Sequence, residues 1–197
     1  MPSFTGINHL AMATGDMDAT IRFWRDLLGM RLVAGLGHPG YRHYFFEIAP
    51  QDMIAFFEWP KVEPGPLKDH GAPVAGPHTF DHVSFGVESD DDLWKLKDTL
   101  EAAGFWASEI IDHGFIHSLY SFDPNNIAIE FSAPVAAVDA REHPVNTDTA
   151  PSPAAQEGPE PQSGHWPPPT PTPAADRAVY PGEGQAIVEA LKKRGKI

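Results

Sequence analysis

The sequence lacks cysteine, is poor in positive charge and has no long apolar run. The absence of cysteine excludes disulfides, thiolate metal ligands and a cysteine nucleophile. Lys and Arg total 14 against 27 Asp and Glu, for a net charge of -13, which argues against nucleic acid and anionic membrane surfaces as partners. The start of the chain does not resemble a signal peptide, and no segment approaches the ~20 apolar residues of a membrane helix. We therefore expect a cytoplasmic protein.

Proline is abundant but unevenly placed. Of the 21 prolines, 11 lie between Pro144 and Pro181. Because proline fixes φ and has no backbone N–H, this stretch is expected to be extended or disordered. The pattern predicts a domain over residues 1–135 and a Pro-rich extension over 136–197, with a possible short helix in "GQAIVEALKKRG". The extension is either a flexible linker or a segment that wraps the domain, with Trp166 as its anchor.

The domain contains an internal repeat. "INHLAMATGDMDATIRFWRDLLGM" returns as "FDHVSFGVESDDDLWKLKDTLEAAGF", and His9 and His82 each precede a candidate helix cap, Asp16 or Ser89, by seven positions. Each copy predicts a strand, a helix and three more strands, which makes the protein an α+β fold of two βαβββ modules. Module one covers about 5–62 and module two about 78–135. The predicted strands are 7–13, 31–34, 41–48, 53–58, 79–87, 108–111, 116–122 and 127–131.

Three ionisable residues lie on strand faces whose other members are mostly small. Alternate side chains of a strand share a face, which groups His9 with Ala11, His82 with Ser84, and Glu130 with Ala128 and Ser132. Two histidines and one carboxylate are a common ligand set for Fe(II) or Mn(II) that leaves positions open for other ligands. The alternative is that each is an ordinary hydrogen-bonded core residue, but a buried glutamate needs a compensating charge. The repeat therefore favours a metal at His9, His82 and Glu130.

The segments "INHLAM", "WRDLLGMRLV", "FDHVSFGV" and "SLYSFDPNNIAIEF" resemble the vicinal oxygen chelate superfamily, the glyoxalase/bleomycin resistance/extradiol dioxygenase group, over about residues 5–135. The resemblance implies a curled mixed sheet around a metal cavity, with His9, His82 and Glu130 as ligands. It also implies a small-molecule substrate and a homodimer. Asn126 replaces the usual glycine of the last turn, and asparagine tolerates the left-handed conformation required there.

Two further residues are candidate catalytic groups. Tyr120 lies ten residues before Glu130, the separation seen in extradiol dioxygenases, and its phenol could hydrogen-bond a substrate oxygen. His113 lies in the preceding loop and could act as an acid or base. Each is also compatible with a structural role. Glu58 is the only candidate for a fourth ligand, and it comes later in its strand than the family pattern expects.

The first functional hypothesis is a non-haem Fe(II) dioxygenase that acts on a catechol-like or vicinal-oxygen substrate. The second is a glyoxalase-like lyase or isomerase, or a thiol transferase acting on an epoxide antibiotic, with Mn, Ni or Zn as Lewis acid. The third is a non-enzymatic small-molecule binder. Aromatic residues such as Phe45 and Phe57 suggest an apolar pocket, although most of them are also plausible core residues.

Overall fold

The two halves of the repeat build two four-stranded mixed sheets in the computed structural model, which describes residues 3–77, 79–135 and 138–197. The strands are β1 (His9–Thr14), β2 (Arg31–His38), β3 (Tyr41–Ala49), β4 (Asp52–Glu58), β5 (Val83–Gly86), β6 (Ile111–Asp112), β7 (Ile116–Phe122) and β8 (Ala128–Pro134). The sheet orders are β1-β4-β3-β2 and β5-β8-β7-β6. In each sheet the first strand is parallel to the last, and the other pairs are antiparallel. The α+β fold and the duplicated βαβββ unit are confirmed.

The strand boundaries differ from the prediction mainly in module two. β5 begins only at Val83, not at residue 79. Just before it, Asp81 binds Lys68 and the Gly71 N–H, which lie in the linker between the modules, residues 59–82. β6 is reduced to Ile111–Asp112, with an isolated bridge between Ala107 and Ser121 upstream of it. β8 continues to Pro134, which gives the sheet a long central strand.

The first helix begins as predicted but ends differently. Asp16 caps α1 (Met17–Ile21) by accepting a hydrogen bond from the Ala19 N–H at 2.9 Å. The chain then widens into a π-helical segment, Arg22–Leu27, in which the Leu28 N–H donates to the Phe23 carbonyl at 3.0 Å. This wider turn buries the adjacent residues Phe23 and Trp24 together in the core. A regular α-helix with Leu28 on its apolar face would not bury both.

The second helix begins directly after the candidate cap Ser89, although the Ser89 side chain makes no capping hydrogen bond. α2 (Asp90–Ala102) starts after Ser89, and Gly104 follows its end with a φ of +84°. Leu93 and Leu100 are its fully buried positions. Its first turn carries three aspartates, which interact favourably with the positive end of the helix dipole.

One core is shared by both modules. The indole of Trp24 is fully buried, with ring centroids 5.8 Å from Phe56 of β4 and 5.4 Å from Phe85 of β5. Leu10 and Met12 of β1 also pack against this cluster. The core therefore lies on the helical side of both sheets and leaves the face that carries His9 pointing away from it.

The chain divides into two compact units, residues 1–135 together with 183–197, and residues 136–182. The first unit includes the terminal helix α3 (Gln185–Lys193), which packs on β2, and the Tyr41 hydroxyl donates to Glu183 at 2.7 Å. The second unit contains two short 3₁₀ turns, and its Trp166 is 86% exposed. In the described ranges, no helix is long and apolar enough to cross a membrane.

The turn between β7 and β8 is held by a buried carboxylate. Asp123 Oδ1 accepts the N–H groups of Asn125 and Ile127 at 2.8 and 2.9 Å, and Asn126 adopts the left-handed conformation expected of it, with a φ of 60°. Burial raises the pKa of Asp123 despite the hydrogen bonds that it receives. This carboxylate is therefore held in place at an electrostatic cost.

We expect this cost to appear in the pH dependence of stability. Because the folded-state pKa of Asp123 lies above the unfolded value, the protonated form favours folding, and the group's contribution falls as pH rises through the folded pKa. Asp123→Asn keeps the Oδ1 acceptor but cannot ionise. Its free energy of unfolding should therefore increase relative to that of the wild type as the pH rises from about 4 to about 7. Urea unfolding across this range measures the difference. Asp26→Asn is the control: Arg25 and Arg22 lower the pKa of Asp26 to about 2, so this carboxylate loses its contribution to stability only as pH falls from about 4 to about 2, and the variant should show no trend against the wild type between pH 4 and pH 7. A wild-type advantage over Asp123→Asn that grows with pH would contradict the prediction.

Candidate functional site

Glu130 is the centre of the candidate site in module two. It lies on the central strand β8, is 4% exposed, and is the cross-strand partner of Ser84 on β5 and Tyr120 on β7. Its Oε2 lies 3.0 Å from Nε2 of His82. Strand pairing therefore brings Tyr120 beside Glu130, and His82, which directly precedes β5, lies next to the same carboxylate.

The carboxylate of Glu130 is stabilised in its charged form. Burial alone would raise its pKa, but the hydroxyls of Ser118, Ser84 and Tyr120 and the adjacent His82 together lower the pKa below its usual value. Glu130 is therefore ionised at neutral pH and places a buried negative charge beside His82.

Tyr120 links Glu130 to the loop histidine. The Tyr120 hydroxyl lies 2.9 Å from Nε2 of His113. Burial, followed by the charge of Glu130, raises the pKa of Tyr120, so the phenol keeps its proton at neutral pH. His113 and Tyr120 can thus exchange a hydrogen bond beside the carboxylate, which is the geometry of a proton-transfer pair.

His82 lies between two carboxylates. Its Nδ1 is 2.6 Å from Asp81 Oδ1 and its Nε2 is 3.0 Å from Glu130 Oε2. A neutral imidazole carries one N–H, so both contacts are favourable only if the ring is doubly protonated or if a cation lies at Nε2. Asp81 is in turn bound by Lys68 at 2.5 Å and by the Gly71 N–H at 2.9 Å, and these contacts, Lys68 foremost, hold the pKa of Asp81 well below its usual value. The donor set therefore fits a divalent metal bound at His82 and Glu130.

His70 is a site residue that the sequence did not reveal. Its Nε2–H donates to the Ile129 carbonyl at 2.9 Å, and its ring centroid is 4.6 Å from Tyr120 and 5.6 Å from His82. Desolvation lowers the pKa of His70. It occurs in an irregular linker, where no periodic pattern indicates which way a side chain points.

His9 occupies the corresponding place in module one. Its Nδ1 is 2.9 Å from Asn8 Oδ1, and its ring is edge-on to Phe45 at 5.5 Å. The same face carries His43, which is 7% exposed and stacks on Phe57 at 3.6 Å. Among the described residues neither ring nitrogen of His43 has a hydrogen-bond partner, and burial lowers its pKa. Beside His9, module one thus presents a largely aromatic face.

The predicted ligand triad is not assembled within one chain. Across residues 3–77, 79–135 and 138–197, no three His, Asp or Glu side chains are placed to hold one metal ion. His9 lies on the first sheet, and His82 and Glu130 lie at the second. The assignment of all three to one metal remains a prediction.

Glu58 is engaged elsewhere. Its Oε1 accepts the Met17 N–H at the start of α1 at 2.9 Å, and its Oε2 is hydrogen-bonded to Arg42. It is the cross-strand partner of Thr14, whose side chain lies on the opposite face of β1 from His9. Glu58 therefore supports the helix and does not face the candidate site.

Comparison with known proteins identifies the family. The sequence profile of the Glyoxalase/Bleomycin resistance protein/Dioxygenase superfamily matches residues 6–131, so the chain belongs to this superfamily. No curated protein is detectably similar in sequence.

Among solved structures, a glyoxylase/bleomycin resistance protein/dioxygenase domain from Frankia sp. EAN1pec matches with a TM-score of 0.57 and 23% identity, over 72% of this chain and 99% of that one. The fosfomycin resistance protein FosX of Listeria monocytogenes, as a mutant complexed with Mn(II) and 1S,2S-dihydroxypropylphosphonic acid, matches with a TM-score of 0.51 and 16% identity, over 68% of this chain and 96% of that one. FosX from Mesorhizobium loti matches with a TM-score of 0.50 and 17% identity, over 68% and 95%. At these identities the likeness concerns the fold.

The environment of Glu130 yields a direct prediction. Tyr120→Phe removes one of the hydroxyls that favour the carboxylate, so the pKa of Glu130 should rise while burial of the ring is kept. Carbon-13 NMR titration of the glutamate side chains measures this change. Tyr44→Phe on β3 is the matched control and should leave the pKa of Glu130 unchanged; an unchanged value in Tyr120→Phe would mean that the phenol does not interact with the carboxylate.

Proposed function

We propose that the protein is a metal-dependent enzyme that acts on a small molecule, with His9, His82 and Glu130 as metal ligands. The observation that carries this proposal is the position of His82, whose Nε2 faces the ionised Glu130 at 3.0 Å while its Nδ1 is bound to Asp81. A divalent cation at Nε2 satisfies both the imidazole lone pair and the buried carboxylate. The polar cluster is then a ligand set in which each charge has a partner.

The third ligand is proposed to come from a second copy of the chain. β1 and β5 are the end strands of their sheets in the described part of the chain, and exposed strand edges are surfaces for pairing with another chain. β1 carries His9, and His82 directly precedes β5. A twofold dimer that pairs β1 of one copy with β5 of the other therefore places the partner's His9 beside His82 and completes two equivalent sites.

Among reactions known for such sites, extradiol-type oxygenation of a catechol-like substrate has the most support. Glu58 is occupied by α1 and Arg42, which leaves a three-ligand site with open positions. The aromatic face of Phe57, His43 and Phe45 offers stacking surface for a planar ring. His9, His82 and Glu130 would hold Fe(II), which would supply Lewis acidity toward the substrate and a path for electrons from the catechol to O₂; the catechol is the reductant, and both oxygen atoms would end in the ring-opened product.

The residues around the ligands have distinct roles in this proposal. Tyr120 keeps its proton and donates a hydrogen bond to a substrate oxygen from its hydroxyl. His113 Nε2, 2.9 Å from that hydroxyl, accepts the proton or returns it. The ring of His70, packed on Tyr120, limits the space above the phenol and excludes water from one side.

A second candidate is a non-redox reaction of the epoxide-opening type with Mn(II) as Lewis acid. It is favoured by the likeness of the fold to FosX, one structure of which holds Mn(II) and a dihydroxypropylphosphonic acid. Recognition of a phosphonate requires cations, and the candidate cation near the site, Lys68, is already paired with Asp81. We therefore rank it second.

Metal content and oxygen uptake distinguish these functions. Protein purified anaerobically without a histidine tag should hold about one iron per chain and consume O₂ with at least one member of a catechol panel. His9→Ala, His82→Ala and Glu130→Gln should lose both properties, whereas His165→Ala, which changes a surface histidine with a 61% exposed side chain, should keep both. Stoichiometric manganese without O₂ uptake would support the second candidate. Failure to bind any divalent ion after reconstitution would reject both and leave a small-molecule binder.

Mixing two inactive variants tests the shared site. In a hybrid of His9→Ala and His82→Ala, one of the two sites receives both mutations and the other receives neither. After unfolding and refolding an equal mixture, about a quarter of the wild-type metal binding should return, because half of the dimers are hybrids. The variants refolded separately are the control. No recovery from a mixture that is dimeric by light scattering would place all three ligands within one chain.

A further inference from the structure

Both histidines of the repeat are preceded by a residue with a short side-chain oxygen. Asn8 Oδ1 lies 2.9 Å from Nδ1 of His9, and Asp81 Oδ1 lies 2.6 Å from Nδ1 of His82. Neighbouring side chains on a regular strand point to opposite faces, but both pairs occur at the very start of β1 or just before β5. The irregular backbone at these two strand ends allows each side chain to reach the ring that follows it.

The chemistry of these contacts determines which ring nitrogen is available. A carboxylate oxygen only accepts hydrogen bonds, and so does the carbonyl oxygen of an amide. Nδ1 of each ring therefore carries a proton, and Nε2 is the nitrogen whose lone pair is left for a bound metal. For His82 this is the nitrogen that faces Glu130 at 3.0 Å.

The two pairs differ in the charge of the residue before the histidine and in the contacts that hold this residue in place. Asn8 is neutral and exposed, whereas Asp81 is anionic and is held by Lys68 at 2.5 Å and by the Gly71 N–H at 2.9 Å. An anionic partner makes the imidazole a stronger electron donor and restricts its ring angle more than a neutral one does. The linker turn that contains Lys68 and Gly71 is thereby connected to His82 through one carboxylate.

We infer that Asn8 and Asp81 are positioning residues that fix the Nδ1-protonated form of His9 and His82, so that Nε2 is the metal-binding nitrogen in both halves of the site. This inference rests on the proposed metal site and extends it to residues outside the ligand set. Asp81 is the stronger of the two, and the linker sets its orientation. Neither residue touches the metal, so their effect is on affinity and ring geometry.

Exchanging the two side chains tests the inference in both directions. The probe is Zn²⁺ alone, titrated against a fluorescent chelator with the full-length protein. Asp81→Ala should weaken zinc binding about 10- to 100-fold, and Asp81→Asn, which keeps the acceptor oxygen but not the charge, should weaken it less. Asn8→Ala should weaken binding about 3- to 10-fold, and Asn8→Asp should strengthen it.

Matched charge changes separate positioning from general electrostatics. Asp69→Asn removes one negative charge from an exposed position on the same linker turn, and Gln51→Glu adds one at an exposed position just before β4. Both should leave zinc affinity nearly unchanged. Nitrogen-15 NMR of the histidine rings reports which ring nitrogen is protonated, which a merely structural role would not change. In the zinc-bound protein His9 and His82 should be protonated at Nδ1. Asp81→Ala should lose this preference at His82.

Each outcome has a defined meaning. If His82→Ala and Glu130→Gln lose zinc but Asp81→Ala binds it as tightly as Asp69→Asn does, the positioning role is wrong and the metal site stands. If His82→Ala and Glu130→Gln bind zinc like the wild type, the metal site is wrong. The Asn8–His9 and Asp81–His82 contacts are then tested by NMR of the metal-free protein. A His9 or His82 ring that is protonated only at Nε2 would overturn the inference.

Discussion

The burial of the Glu130 carboxylate in the centre of a sheet is the constraint to which the rest of the site responds. A charge on a central strand, 4% exposed, is costly unless other groups compensate it. His82 lies 3.0 Å from the carboxylate, and the nearby hydroxyls of Ser118, Ser84 and Tyr120 lower the pKa of Glu130 and so favour its charged form. The opposite face of β8 carries Ile129 and Phe131, both buried in the shared core. The strand thus separates the polar site from the apolar core by one layer of backbone.

Duplication of the module is what gives the second histidine its place. Each sheet has an end strand that presents a histidine near its start, and each histidine is contacted at Nδ1 by the preceding side chain. The modules differ in their other residues. Module two carries the carboxylate and the phenol, while module one carries the aromatic face of His43 and Phe57. In the proposed site these unlike halves would bind a ligand that is apolar on one side and polar on the other.

Much of this was predictable from the sequence because it follows local rules. Alternation along β8 predicted which residues share the face of Glu130, and the helix cap at Asp16 and the left-handed conformation of Asn126 follow from side-chain chemistry. The π-helical turn was not predictable, because only the shared core explains why Phe23 and Trp24 must both be buried. The occupation of Glu58 depends on Arg42, which is distant in the sequence and becomes its neighbour only in the folded sheet.

The side-chain positions in the linker were also not predictable from the sequence. Lys68, His70 and Asp81 lie in or next to a segment without periodicity, and their positions depend on contacts with β8 and with each other. A pattern cannot orient such residues, since each contact is set by tertiary structure. These residues are the part of the site for which a three-dimensional structure was required.

The terminal helix has a consequence for how the chain tolerates change. Residues 1–135 and 183–197 form one unit, so the Pro-rich segment between them is a tether with both ends attached to the same body. The entropic cost of closing a flexible loop grows only with the logarithm of its length, about 0.6 kcal/mol for each doubling. The effective concentration of α3 at β2 therefore falls only about threefold for each doubling of the tether, and the Pro-rich segment can gain or lose many residues while the helix keeps its place on the sheet.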